Sequence, residues 1–288
     1  MSDTIPLFSQ LLLGHAPFAE AVSELWSGKP ISVDGVQGGA CALAAAAIRQ
    51  AGNMPILILT AATEQAEQIT DDLELFSPTS NNLLFPALEN RTSVCEQKND
   101  VLALADDLFG QRIRVLKQLS QQLFKQSERS DTVYSQLIIV APILSLLQPV
   151  PSKELLSERT QTLQVGNRVN PEQLRRFLVE SGYYNTPAVD LPGEFAVRGS
   201  ILDLFAPDWE QPIRVEFFDD EIESIRRFDL VTQRSLENID KIDLTRLLPN
   251  EAVGASLLDY LPSASPILLL EPREIELAAR QTNDIITK

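Results

Sequence analysis

The residues whose types and spacing come nearest to chemistry are Ser32-Val33-Asp34-Gly35-Val36-Gln37-Gly38-Gly39-Ala40-Cys41-Ala42. A short strand candidate, Ile31–Asp34, runs through a glycine-rich loop into an Ala-rich helix, Cys41–Gln50. Strand, loop and helix in that order let backbone N–H groups cradle a phosphate at a helix N-terminus. The phosphate loop requires G-x-x-x-x-G-K-[ST]. With Gly35 as its first glycine, Ala40 stands at the second, Cys41 at the lysine and Ala42 at the hydroxyl. No ammonium then reaches the β- and γ-phosphates, and no hydroxyl ligates Mg²⁺. Gly35, Gly38 and Gly39 still permit the turn. The expectation is a degenerate, non-functional phosphate loop kept as a structural turn, ahead of a residual anion site.

Other catalytic constellations are scarce. The single histidine, His15, has no cysteine or carboxylate at ligand spacing. Cys41 and Cys95 lack C-x-x-C spacing and a plausible base, so both read as small buried hydrophobes. The acid pairs Asp71-Asp72, Asp106-Asp107 and Asp219-Asp220 fall in helical or turn contexts and read as solvated faces. Nothing assembles a nucleophile, base and oxyanion hole. The chain is expected to be no enzyme, with no catalytic residue, no metal and no cofactor of its own.

The elements around the loop are α/β. Pro55 leads into the apolar run Ile56–Thr60, a buried parallel strand candidate. Ala66, Ile69, Leu73 and Phe76 recur at helical spacing until Ser77-Pro78. Leu83–Phe85 is another strand candidate, Val101–Lys125 a long polar helix, and Leu137–Pro142 a further buried strand. Continuous apolar strands alternating with helices predict a parallel sheet covered on both faces.

The next stretch changes character. Asn170-Pro171-Glu172 opens a helix ending near Gly182. Strands with turn chemistry between them follow, in EFAVRGSILDLFAP, PDWEQP, IRVEFF, Asp219-Asp220 and EIESIRRFD. From Leu247 the α/β pattern returns with the strand Ile267–Glu271 and a helix from Pro272. The predicted fold is an α/β, parallel-sheet, P-loop-like domain in two halves, 1–160 and 247–288, with an inserted α+β domain at 161–246.

Composition narrows the function classes. The 288 residues carry 24 basic and 40 acidic side chains, a formal charge of −16, with 44% hydrophobic residues. Segments 1–160, 161–246 and 247–288 contribute −7, −6 and −3, so no basic domain is hidden. That balance opposes a general nucleic-acid platform. No apolar run reaches the roughly 20 residues of a membrane span, and two cysteines without a disulfide framework favour a reducing cytoplasm.

One surface looks built for a partner. Alternation in Ile213–Phe218 puts Ile213, Val215 and Phe217 on a core face, and Arg214, Glu216 and Phe218 opposite. In Phe195–Arg198, Phe195 and Val197 point one way, Ala196 and Arg198 the other. Pairing of the two strands across PDWEQP would give Arg198, Arg214 and Phe218 a common outer face. Arg and large aromatics are enriched at binding hot spots. The plainer alternative pairs these arginines with Glu194 or Glu216 as surface salt bridges, and Arg226-Arg227 as a solvated mixed-charge strand.

The run DLPGEFAVRGSILDLFAP…QPIRVEFFDDEIESIRRFDLVTQRSLENIDKIDL closely resembles the UvrB-homology region of the bacterial transcription-repair coupling factors. GGACALAAA, LFPALENR and LIIVAPILSLLQPVP extend the resemblance over residues 20–160. It implies a UvrB-like α/β domain with a degenerate phosphate loop, and an inserted domain that recruits the nucleotide-excision-repair protein UvrA. The family's UvrA-contacting positions fall on Arg198, Arg214 and Phe218. RNA polymerase and DNA would be engaged only through parts of longer family members, so the chain is expected to be an N-terminal recruitment fragment. The competing expectation is a nucleotide-driven, UvrB-like DNA-remodelling ATPase.

Overall fold

The computed structural model describes residues 5–78, 80–88, 107–127, 137–246 and 254–286. Cys95 and Asp106 lie outside them, as do the last three residues of LFPALENR, 89–91, and the first turns of the helix expected from Val101. Strands follow in chain order as β1 (Ile56–Thr60), β2 (Asn81–Leu84), β3 (Leu137–Pro142), β4 (Thr160–Gln164), β5 (Tyr184–Asn185) and β6 (Glu194–Arg198). They continue as β7 (Ile201–Phe205), β8 (Ile213–Phe218), β9 (Glu221–Phe228), β10 (Ser235–Asn238), β11 (Lys241–Thr245) and β12 (Ile267–Leu269).

The chain divides into two compact units. The first comprises Met1–Leu88, Gln118–Gln148 and Ser256–Lys288. Its sheet is parallel, in the order β12-β1-β3-β2. Every residue of β1 and β3 is buried, as continuous apolar runs require when helices cover both faces. The helix Gly39–Gln50 buries Ala42, Ala45 and Ala46 against the sheet, and Thr63–Phe76 buries Ala66, Ile69 and Leu73. The fourth strand comes from the end of the chain: β12 pairs with β1 through Leu57↔Ile267, Ile58↔Leu268 and Leu59↔Leu269.

One expected strand is absent. Ile31–Asp34 has no strand structure, and Ser32, Val33 and Asp34 are exposed. Its I-S-V-D pattern offers one apolar face, whereas a strand in a two-sided parallel sheet must bury both.

The second unit comprises Glu89–Lys117 and Pro149–Ala255. Its sheet runs β10-β9-β8-β7-β6-β5, with β6 to β10 antiparallel to their neighbours and β5 parallel to β6. A separate antiparallel pair joins β4 to β11. The helix Pro171–Glu180 starts as predicted, with the Asn170 side chain accepting from the N–H groups of Glu172 and Gln173. Phe195, Leu204, Ile213, Val215, Phe217, Ile222, Ile225 and Phe228 build the core with Leu174 and Leu178 of that helix.

The helix Asp107–Ser127 meets the loop between β7 and β8 at Gly110. A Cβ there would lie 2.0 Å from the carbonyl oxygen of Pro207, a backbone atom that cannot rotate away. Gly110→Ala is therefore expected to cost about 1–3 kcal/mol through overpacking, read as a lower urea midpoint. A midpoint equal to that of the parent chain would contradict this packing.

Candidate functional site

The six-stranded sheet places the three sequence-selected residues by register. PDWEQP does not join β6 directly to β8, because β7 lies between them. The pairs Ala196↔Asp203 and Asp203↔Arg214 form one row on the face opposite Val215 and Phe217, with Ala196 and Asp203 themselves buried; Arg198↔Ile201 and Ile201↔Glu216 form the next row, toward the sheet end. Phe218, two residues beyond Glu216, follows on the same face by alternation. Arg198, Arg214 and Phe218 thus share the outer face, but Arg198 lies two strands from β8, about 10 Å across at ordinary strand spacing.

Two tight turns put Arg198 and Phe218 at the same end of the sheet. Arg198↔Ile201 closes the hairpin through Gly199-Ser200, with Gly199 at φ +63°. Phe218↔Glu221 closes the next through Asp219-Asp220, with Asp219 at φ +55°. Both turns need a left-handed residue, which glycine supplies freely and aspartate tolerates. The second is pinned from outside, where the Val169 N–H donates to the Asp220 carbonyl at 2.6 Å. A bulge shifts the register from Glu216↔Ser224 to Phe217↔Ile222, so both Ile222 and Ile225 reach the core.

Phe218 is 72% exposed. Val197, expected on the core face, is also exposed: β5, the neighbour of β6 on the sheet edge, pairs only with Glu194 and Phe195 and stops short of it. Arg198 donates from Nη2 to the Pro187 carbonyl at 2.9 Å and has no carboxylate partner among the described residues. Glu194, a possible partner by sequence, instead accepts from the N–H groups of Asp190 and Leu191 at 2.8 and 3.0 Å.

Arg214 is held differently. Its Nε donates to Asp203 Oδ1 at 2.6 Å and its Nη2 to Oδ2 at 2.9 Å, a fork on a carboxylate only 2% exposed. Its guanidinium carbon lies 4.8 Å from the centre of the Phe228 ring. Hydrogen bonding to Asp203 raises the Arg214 pKa above its ordinary value despite partial burial. Neither Glu194 nor Glu216 is its direct ion-pair partner. Glu216 pairs with Arg226 and accepts from Ser224, while Arg227 pairs with Glu237, so the Arg226-Arg227 strand is a bonded network. Asp203 escaped the sequence reading; its place in I-L-D-L-F, an acid amid an apolar strand, was the available signal.

The glycine-rich loop lies in the first unit. Gly35 and Gly38 adopt φ of +79° and +56°, and Gly38 caps the helix Gly39–Gln50. The Cys41 Sγ donates to the Val36 carbonyl at 3.6 Å, and burial, then the Glu271 charge, push its thiol pKa up. A cavity of about 820 Å³ opens here between the loop and β12. Among the described residues its charged lining is Asp34 and Glu271, with no lysine or arginine. Ala40, Cys41 and Ala42 supply neither a cation nor a hydroxyl at the positions where a phosphate loop carries them. No helix among the described residues is long and apolar enough to cross a membrane.

Comparison with known proteins agrees on the second unit. The family described as the UvrB interaction domain matches residues 162–250. The chain is similar to the transcription-repair-coupling factor of Bacillus subtilis (strain 168), at 31% identity over 210 residues, 73% of this chain and 16% of that protein. The Myxococcus xanthus factor is 31% identical over 232 residues, covering 80% of the chain and 18% of that protein. That of Staphylococcus aureus (strain bovine RF122 / ET3-1) is 32% identical over 193 residues, 67% and 15% respectively. The matched part is less than a fifth of the length of these relatives.

Proposed function

From a chain that is homologous to the N-terminal region of transcription-repair-coupling factors and carries a UvrB interaction domain at 162–250, we propose that it is a non-catalytic recruitment module for UvrA. It delivers nucleotide-excision repair in the cytoplasm to DNA where RNA polymerase has stalled. In this reading segment 161–246 is the inserted partner-binding domain between the halves 1–160 and 247–288 of a P-loop-like domain. Arg198, Arg214 and Phe218 form the surface that UvrA engages. The observation that carries it is the coincidence of that family match with an exposed phenylalanine at the same sheet end as an arginine that has no carboxylate partner among the described residues.

Phe218 would insert into a partner pocket, with the guanidinium positive charge meeting carboxylates at the rim. The −16 net charge suits this role, because positive charge is presented locally. Titration of purified UvrA with the chain and with Arg198→Glu tests it. Affinity should fall at least about tenfold in the variant; equal affinity would remove Arg198 from the surface.

The same reading gives the glycine-rich loop no catalytic part. The chain is expected to show no saturable binding of ATP·Mg²⁺ at millimolar nucleotide and no DNA-stimulated phosphate release. Either activity, lost on substitution at Gly38, would revive the remodelling-ATPase alternative.

A further inference from the structure

We infer that Asp203 is a positioning residue of the UvrA-binding surface and that Arg214 acts through it, leaving Arg198 as the guanidinium that meets the partner's carboxylate. The inference rests on the surface proposed above and assigns separate roles within it.

The two arginines differ in what remains available. A guanidinium has five N–H donors arranged as a fork. In Arg214 both atoms of one edge, Nε and Nη2, are spent on the two oxygens of Asp203. The other constraint is the Phe228 ring, 4.8 Å from its carbon. Its side chain is only 18% exposed, and its charge is balanced at contact distance by a buried carboxylate. A partner's carboxylate approaching Arg214 would meet a neutral pair. Arg198 is exposed, donates to the neutral Pro187 carbonyl and has no carboxylate within ion-pair distance among the described residues, so no such partner balances its charge there.

The Asp203–Arg214 fork also has a mechanical position. Asp203 is the central residue of β7, and Arg214 faces it on β8, four residues before Phe218. β7 is the one strand between β6, which carries Arg198, and β8, which carries Phe218. The bidentate pair locks β8, which holds the aromatic anchor, to β7; the β6–β7 ladder, through Arg198↔Ile201, carries that alignment to the strand holding the cation. On the same face the next row adds a second cross-strand link, Glu216 to Arg226 and Ser224, which joins β8 to β9 and leaves the Asp203–Arg214 fork as the side-chain link between β7 and β8 among the described residues.

The test uses UvrA titrations of the full chain at several salt concentrations, with thermal unfolding recorded for each variant. Arg214→Gln should weaken binding about tenfold or more. Arg214→Lys should do nearly as much, because an ammonium keeps the charge but cannot fork onto Asp203. The double variant Asp203→Asn with Arg214→Gln keeps an uncharged hydrogen-bonding pair, and should return to within about threefold of the parent with unchanged salt dependence. Arg198→Gln, by contrast, should weaken binding and flatten the salt dependence.

A double variant that binds as poorly as Arg214→Gln, or shares the flattened salt dependence of Arg198→Gln, would make Arg214 a direct contact. Parent-like binding by Arg214→Gln, or by Arg214→Lys, would remove the positioning role. A failure of the surface itself reads differently: Arg198→Gln and Phe218→Ala would then both bind like the parent.

Discussion

Replacing Lys117 by methionine is expected to lower the stability of the second unit by about 3–5 kcal/mol. Lys117 comes from the helix Asp107–Ser127, and its Nζ donates to Asp208 Oδ2 at 2.6 Å and to the Asp243 carbonyl at 2.9 Å. The two side chains are 14% and 5% exposed, so methionine would leave the Asp208 carboxylate buried without its cation. The loop it secures, between β7 and β8, is also gripped by Arg114, which donates to the Asp208 and Trp209 carbonyls at 3.0 and 2.9 Å. Trp209 closes the assembly by donating from Nε1 to the Asp243 carbonyl at 3.1 Å. Urea unfolding followed by Trp209 fluorescence in a Trp26→Phe background reads the effect. Adding Asp208→Asn to Lys117→Met should recover at least half of the loss, because no bare charge then remains buried. No recovery would mean that the helix contacts, and not the charge pair, hold the loop.

Phe218→Ala is expected to weaken UvrA binding by about 2–4 kcal/mol, roughly 30- to 900-fold in Kd. The same substitution should change folding stability by no more than about 0.5 kcal/mol, because a side chain 72% exposed holds little of the fold together. The separation of the two readouts is what makes the residue diagnostic. A core phenylalanine such as Phe217, 5% exposed one position earlier, would lose stability first and affinity as a consequence.

Where the chain was legible, local rules and burial agreed. The all-apolar runs at Ile56 and Leu137 became fully buried parallel strands, and Asn170-Pro171 became a capped helix start. Ile31–Asp34 misled because two apolar residues can mimic a strand without the second buried face that this sheet demands. Alternation correctly gave Arg214 and Phe218 one face of β8, since it depends only on the pleat. It could not reveal that β7 lies between β6 and β8, nor that Asp203 faces Arg214, because strand order is a long-range property. Single-strand patterning also overburied Val197, which lies past the last residue that β5 covers.

The central claim is that this unit docks UvrA through the end of its sheet marked by Phe218 and Arg198. Isothermal calorimetry of UvrA against the chain and against the double variant Arg198→Glu with Phe218→Ala tests it most directly. The account predicts saturable binding by the parent chain and no measurable heat from a folded double variant. Undiminished binding by that variant, or no binding by the parent chain, would contradict it.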